Sequence, residues 1–497
     1  MAAKASLPVG RKNRRGPRNS PKLRDASFPN RRMSFEMDRR AHESSAGPQS
    51  AALNHLELLW SAFLAFGMVL ALTPQLRWGA AGVGPGELLV SLWVLLGLMV
   101  LIVGFRAEAP RAFWELIGFW AIFAAAQCIG AMQTIWSEFL DDWSLVFHDI
   151  MAYLLLFVLM SVLFALPGAA RRLHQVQWIT ALFGAFLFVL QAANAWGVFT
   201  LNNIDPWYWD RLRGWSDNPN QFALLALLVG FLSLELVEKS SGIGLKLLAV
   251  ACAAISLGIG WLGRSNAYSG VVFAAFGLFG LLKIARATVR SERQGFPAFA
   301  LGTAALASLM FVSCLFAPTV ASLADEGGGP LSLLARKGED TDSEAKLRLY
   351  LWKEAIERGV NSWMLGYGPG PHLDIPDSLT ESHRTAGEPI NLTHPKMGLA
   401  PNYESHNTLL ELFVQGGLLA VGAFVWISAI AVWRAWKAGM DGLIALLFAA
   451  AAFGSFHVAF RHPIVWFTIG LGLQAQRGFH QNAVAPWRRE EFAEAPR

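Results

Sequence analysis

The stretch Tyr403-Glu-Ser-His-Asn-Thr-Leu-Leu-Glu-Leu-Phe-Val-Gln-Gly-Gly417 (YESHNTLLELFVQGG) passes within a few residues from polar side chains into an apolar helical run. His406 stands at the join, with Asn407 beside it. The run continues over 407–433, more than the 20 or so residues that cross roughly 30 Å of hydrocarbon. Runs of this kind recur along most of the chain, near 56–74, 86–104, 112–132, 145–166, 175–195, 220–238, 245–263, 267–285, 297–318, 407–433, 442–460 and 463–476. The expected fold is therefore an all-α polytopic membrane protein of about twelve transmembrane helices.

Composition agrees. Hydrophobic residues make up 54% of the 497 and charged residues 15%, with mean hydropathy +0.38, against about 25% charged in soluble domains. Twenty Trp and 34 Phe against 6 Tyr suit a lipid-facing surface. Cys128, Cys252 and Cys314 lie scattered inside apolar runs, a pattern of buried small hydrophobes rather than of disulfides or metal ligands.

The expected organisation is a disordered basic cytoplasmic tail (1–50), spans one to nine (51–318), a large outer loop (319–405), spans ten to twelve (406–476) and a second cytoplasmic tail (477–497). Residues 1–40 hold twelve Lys and Arg against three acids, a charge balance that cannot bury enough apolar surface to fold. With that tail inside, the inner short loops carry twelve basic residues, from Arg106 to Lys437, and the outer ones five. The excess supports both termini in the cytoplasm. A basic tail on a membrane protein fixes orientation or touches anionic lipid, so nucleic acid is not an expected partner.

The five outer arginines run against the positive-inside tendency. Arg77 and Arg461 read as side chains snorkelling to lipid headgroups. Arg211 and Arg213 sit in DRLRGWSDNPNQFA, where Gly214, Asn218, Pro219 and Asn220 signal a turn and a helix start. Arg264 lies in the tight hinge WLGRSNAYSG. For both hinge and loop, ligand binding and structural ion pairing stand side by side, with an adjacent glycine favouring close approach of a ligand at Arg213. The outer loop has an amphipathic helix starting at Asp342 or Ser343 and ending at Gly359, with Leu347, Leu351 and Ala355 on one face, for the membrane surface or the bundle mouth. MLGYGPGPH follows; it lacks the GxxxxGK[ST] pattern of a phosphate loop. His372, His383 and His394 have no HExxH or CxxC companion and read as solvated loop histidines, not zinc ligands. His406 has two readings of its own: part of a helix cap with Asn407, or a base that takes a proton from a hydroxyl.

Four segments in series, RLRGWSDNPNQFA (211–223), GRSNAYSG (263–270), LRLYLWKEAIERGVNSWMLGYGPG (347–370) and SHNTLLELFVQGG (405–417), resemble the O-antigen ligase and polymerase superfamily. The ligase-type pattern of His, then Asn, Ser or Gln, nine residues and Gly is matched by His406, Asn407 and Gly417. The resemblance implies a glycosyltransferase without metal or other cofactor, moving a glycan from an undecaprenyl-diphosphate carrier to a sugar hydroxyl on the periplasmic face of the inner membrane, with inversion. It assigns the general base to His406 and diphosphate binding to Arg213 and Arg264, with Arg211 as the alternative to Arg213. Asn407, Arg348 and Asn220 support the site. The implied acceptor is lipid A–core or a similar glycan. A polymerase of lipid-linked repeat units is the alternative, and a flippase of lipid-linked sugars stands as the reading from another class.

Overall fold

The computed structural model describes residues 48–78, 83–103, 109–136, 143–208, 211–291, 341–374 and 403–475. The chain divides into two compact units, Met1–Leu56 and Glu57–Arg497. Only the end of the first is described. The second holds every described helix apart from the opening turns of the first one.

The described residues are almost all helical: α1 (Pro48–Leu70), α2 (Pro85–Ile102), α3 (Arg111–Trp136), α4 (Trp143–Ala165), α5 (Ala169–Ala195), α6 (Pro219–Lys239), α7 (Ile243–Trp261), α8 (Asn266–Ser291), α9 (Thr341–Asn361), α10 (Thr408–Ala438), α11 (Asp441–Gly454) and α12 (Pro463–Gln474). One two-stranded antiparallel pair interrupts them, β1 (Trp207–Tyr208) and β2 (Arg211–Leu212). Eight described helices are long and apolar enough to cross a membrane, and α11, α12 and the part of α1 from His55 are shorter apolar helices. The chain is thus a multi-pass helical membrane protein. The expected span at 297–318, the first tail up to residue 47 and the second tail lie outside the described residues, and residues 48–50, expected in the first tail, begin α1.

Helix starts follow local chemistry. Asn218 caps α6 by accepting from the Gln221 amide at 2.9 Å, and Pro219 supplies a first-turn φ without wasting a donor. α6 is the central helix, apolar all round and buried along most of its length. α7 lies at the periphery, with Leu245, Leu247 and Val250 exposed as a lipid-facing surface requires.

Contacts at the helix ends fix which loops share a face. The Gly442 amide at the start of α11 donates to Glu238 near the end of α6, and Arg286 late in α8 pairs with Asp441 at 2.5 Å. α11 therefore runs antiparallel to α6 and α8, which brings its far end beside the starts of both. Lys239 pairs with Glu235, Lys283 with Glu238 and Asp441, and Arg434 with Glu115 at the end away from His406.

The decisive feature is a break in α10. Gly416 (φ −125°, ψ 17°) and Gly417 (φ 61°, ψ −160°) leave helical geometry in the middle of an apolar helix. The carbonyls of Val414 and Gln415 thereby become available, and in hydrocarbon each needs a donor. The segment after α9 supplies them: the amides of Tyr367 and Gly368 donate at 2.8 and 2.7 Å, and the Leu418 amide donates back to Met364 at 3.0 Å. Thr134 of α3 also donates to the Tyr367 carbonyl. MLGYGPGPH is thus the plug of a broken membrane helix. Backbone contact this close leaves no room for side chains. A Cβ on Gly417 would lie 1.9 Å from the Met364 carbonyl oxygen, and one on Gly366 would lie 2.3 Å from that of Gln415.

The amphipathic helix α9 takes the bundle-mouth position. Leu351 and Ala355 are buried with Val414 and Leu373, and Leu347 packs alongside, as its periodicity predicts. The helix runs two residues past Gly359, where a side chain would overlap the Phe413 ring. Gly417→Ala is expected to destabilise the protein by roughly 3 kcal/mol or more, through overlap and a positive φ. Gly422→Ala, which meets no neighbouring atom within 4 Å, should leave thermal unfolding in detergent unchanged.

Candidate functional site

The segments singled out by sequence gather at one end of the bundle in two adjoining groups. In the first, the Leu212 amide donates to the Leu262 carbonyl at 3.1 Å, and Ser265 donates to Asn220 at 2.9 Å. These bonds bring the Arg211–Arg213 strand against the Arg264 hinge. Gln75 bridges to the Asp205 and Ser216 carbonyls, drawing in the loop that carries Arg77.

Arg213 is already engaged. Its Nε donates to the Asp205 carbonyl, Nη2 to the Asp205 carboxylate at 2.9 Å and Nη1 to the Asp217 carbonyl, and the guanidinium lies over the Tyr208 ring. An anionic ligand there has to displace the exposed Asp205 carboxylate. Arg264 is half-buried and holds φ 46°.

The second group surrounds His406. The cap of α10 is Asn407, whose side chain accepts from the amides of Leu409 and Leu410 and donates to the Ser455 carbonyl. Thr408 donates to the His457 carbonyl and accepts from the Ala459 amide, tying this join to the loop after α11. Ser405 donates through its hydroxyl to the Asn407 carbonyl, and its amide donates to Glu411 at 2.8 Å. Within this clamped turn His406 is exposed and holds φ 50°. Left-handed backbone is uncommon outside glycine and costs about 1 kcal/mol or more, and such strain concentrates at functional positions.

Arg461 corrects the snorkelling reading. Its guanidinium is largely buried, pairs with Asp149 at 2.9 Å and with Glu404, approaches Glu411 at 3.4 Å, and meets the Tyr153 hydroxyl. Gln415, fully buried, joins this cluster to the plug. It accepts from Tyr153 at 2.6 Å and donates to Asp149, Glu411 and the Gly370 carbonyl, while the Gly370 amide donates to Asp149 at 3.0 Å. Arg77 likewise is paired, with Glu87 at 2.6 Å. A warning sign was present in the sequence, since Asp149 and Glu411 interrupt apolar runs and an acid at membrane depth needs a partner.

Electrostatic neighbours connect the groups. Surrounding protein raises the Asp217 carboxyl, and Arg77 and Arg213 pull it back. Burial pushes His462 down to about 4 against the pull of Glu404, with Arg461 and Arg77 adding to the fall. His457 stacks on His462 with ring centroids 6.0 Å apart and is pushed down to about 3 by burial, then by His462 and His406. Arg348 adds to that effect. Burial opposes charge on Glu404, but Arg461, with His406 and His457, outweighs it and holds the carboxyl below its usual range.

Two further expectations change. His372 is buried rather than solvated, with Nε2 2.9 Å from the Gly368 carbonyl, and burial lowers it to about 4. Its companions His383 and His394 lie outside the described residues. Cys128 is exposed on α3, not buried, whereas Cys252 is buried and Cys314 lies outside the described residues.

Below the Arg461 cluster, α3 and α4 enclose a mostly apolar cavity of about 450 Å³ whose walls include Trp120, Gln127, Tyr153 and Pro369. Neither Arg213, Arg264 nor His406 lines it.

A broken, plugged membrane helix with a clamped histidine and a charged loop cluster at one end defines a membrane protein with a polar site at its bundle mouth. Residues 247–427 match the family described as O-Antigen ligase, which supports the likeness to the O-antigen ligase and polymerase superfamily. The match takes in Arg264, Arg348, His406 and Gly417; Arg211, Arg213, Asn220 and Arg461 lie beyond it. No curated protein matches the chain. The family match supports glycan transfer of the ligase or polymerase type in general.

Removing the cation that three carboxylates share should be costly. Arg461→Gln is expected to destabilise by roughly 3–5 kcal/mol, and Tyr153→Phe by about 1 kcal/mol, read from unfolding in detergent. Acidification should weaken the fold as well. Unfolded histidine takes up a proton near pH 6.5, whereas His457 and His462 do so only near 3 and 4, so stability drains as pH falls through that window. Glu404, depressed rather than raised, adds to the loss at its acid end. The melting temperature should decline from pH 7.5 to 5, and His457→Gln should flatten the slope.

Proposed function

We propose that this protein is a glycosyltransferase of the O-antigen ligase type, moving a glycan from an undecaprenyl-diphosphate carrier to an acceptor sugar hydroxyl at the periplasmic face of the bacterial inner membrane. The observation that carries the reading is the shared strain of two residues. His406 and Arg264 both hold left-handed backbone, at φ 50° and 46°, in loops at the same end of the bundle.

In this reading His406 removes the proton from the acceptor hydroxyl. The oxygen bonds to the anomeric carbon on the side opposite the diphosphate, which leaves with the electron pair of the broken carbon–oxygen bond. Configuration inverts. The diphosphate leaves as an anion and needs no carboxylic acid to protonate it, unlike the leaving group of a glycosidase. Guanidinium forks suit its oxygens bidentately and stay charged when partly buried. Arg264 supplies one, and Arg213, or Arg211 beside it, supplies the other once Asp205 is displaced. Arg348 on α9 lies over the mouth, Asn407 sets the base at the helix start, and Asn220 steadies the Arg264 hinge through Ser265. The chemistry as read requires no metal or other cofactor. With that mouth periplasmic, both termini lie in the cytoplasm and the tail and loop boundaries at 50, 318, 405 and 476 follow.

The ligase reading, with lipid A–core or a similar acceptor, takes support from the His406-Asn407…Gly417 spacing, because Gly417 seats the plug and Asn407 caps the same helix. A polymerase differs only in what fills the acceptor cleft. The test is incubation of the purified protein with undecaprenyl-diphosphate glycan and either lipid A–core or a second donor molecule. One large transfer marks a ligase, a ladder marks a polymerase, and movement across vesicles without product marks a flippase. His406→Ala should lower the rate by about 10²–10⁴; undiminished transfer would remove the base assignment. Arg264→Lys keeps the charge and loses the fork, so activity should fall by roughly tenfold or more.

A further inference from the structure

The cavity between α3 and α4 takes no part in the glycan-transfer chemistry. Ile117, Ala121, Ala124, Leu154 and Phe157 line it, and the exposure of Ala121, Ala124 and Leu154 opens it toward lipid. Its size falls within the usual ligand range of about 300–1,000 Å³. Gln127 also lines it, only 7% exposed, with neither Nε2 nor Oε1 hydrogen-bonded. A buried amide with both ends unpaired is costly in an empty site and satisfied by a ligand that offers both a donor and an acceptor, or a bridging water.

One end of the cavity adjoins a charged cluster. Tyr153 and Pro369, both buried, line it there. Directly beyond, Asp149, Glu404 and Glu411 crowd one guanidinium, that of Arg461. An excess of carboxylate repels a diphosphate. The outer arginines of the first group, Arg211, Arg213 and Arg264, lie instead on the loops that flank α6 and α8.

We propose that the α3–α4 cavity holds an aliphatic chain of the acceptor, a saccharide lipid whose chain joins its headgroup through a neutral ester, amide or ether, with Gln127 hydrogen-bonding that junction. The inference rests on the donor assignment to Arg264 and Arg213 and deepens it. Donor and acceptor chains enter at different places, sorted by the sign of charge over each.

The experiment uses the full chain in nanodiscs of zwitterionic lipid. One probe is hexadecyl glucoside with a diazirine in the alkyl chain. The second is a polyprenyl diphosphate with a diazirine in its prenyl chain, and the third is a diazirine-bearing phosphatidylcholine. Adducts are mapped by mass spectrometry. The alkyl glucoside should label the α3 and α4 peptides about tenfold more than the prenyl diphosphate does at equal concentration, and unlabelled alkyl glucoside should compete. Ala124→Trp, which fills the cavity from its exposed side, should abolish that labelling, and Gln127→Leu should reduce it.

Equal or stronger labelling there by the prenyl diphosphate overturns the proposal. So does phosphatidylcholine labelling that the alkyl glucoside fails to displace, or glucoside labelling that survives Ala124→Trp. The donor assignment is judged separately, by whether prenyl diphosphate binding falls in Arg264→Lys. Loss of that dependence with glucoside labelling intact would sink the donor reading and leave the cavity occupied.

Discussion

Backbone hydrogen bonding inside a membrane admits almost no exceptions, and α10 contains one. Breaking the helix at Gly416 and Gly417 frees two carbonyls, and the segment from Met364 to Gly368 must arrive to satisfy them. That obligation anchors the segment that follows α9. It also sets α9 over the mouth, because α9 leads directly into the plug and packs Leu351 and Ala355 on the outer turns of α10. The positive-φ glycines of GYGPG and the paired glycines of α10 are two halves of one contact.

The charged groups are organised around that contact. Gln415, one residue before the break, hydrogen-bonds Tyr153, Asp149, Glu411 and Gly370 at once. Through Glu411 the network reaches the Ser405 amide, and so the turn that holds His406 in left-handed geometry. A path of direct hydrogen bonds thus runs from Gln415, beside the helix break, to Ser405, the residue before the histidine. Arg461 closes the network by balancing its carboxylates, a role that depends on burial and would vanish for a side chain reaching headgroups.

On the neighbouring loops the charge reverses. Arg211, Arg213 and Arg264 stand where α6, α7 and α8 begin or end, and the charge of Arg77 acts on both Asp217 and His462. Cations gather on those loops and carboxylates around Arg461.

Apolar runs separated by charged breaks determined the helical membrane class and the approximate span positions, because hydrocarbon admits only segments that satisfy their own backbone. Four short motifs in series marked the family, and Asn218 with Pro219, and Asn407, marked helix starts through local bonds alone. The partnerships lay beyond that reading. Arg461 looked like a surface cation and His372 like a solvated loop residue, since each owes its state to residues far away in the chain. Sequence spacing registers bonds between neighbours in the chain. The balance of one buried guanidinium against Asp149, Glu404 and Glu411, and the seating of one loop in another helix's break, exist only once the bundle has closed.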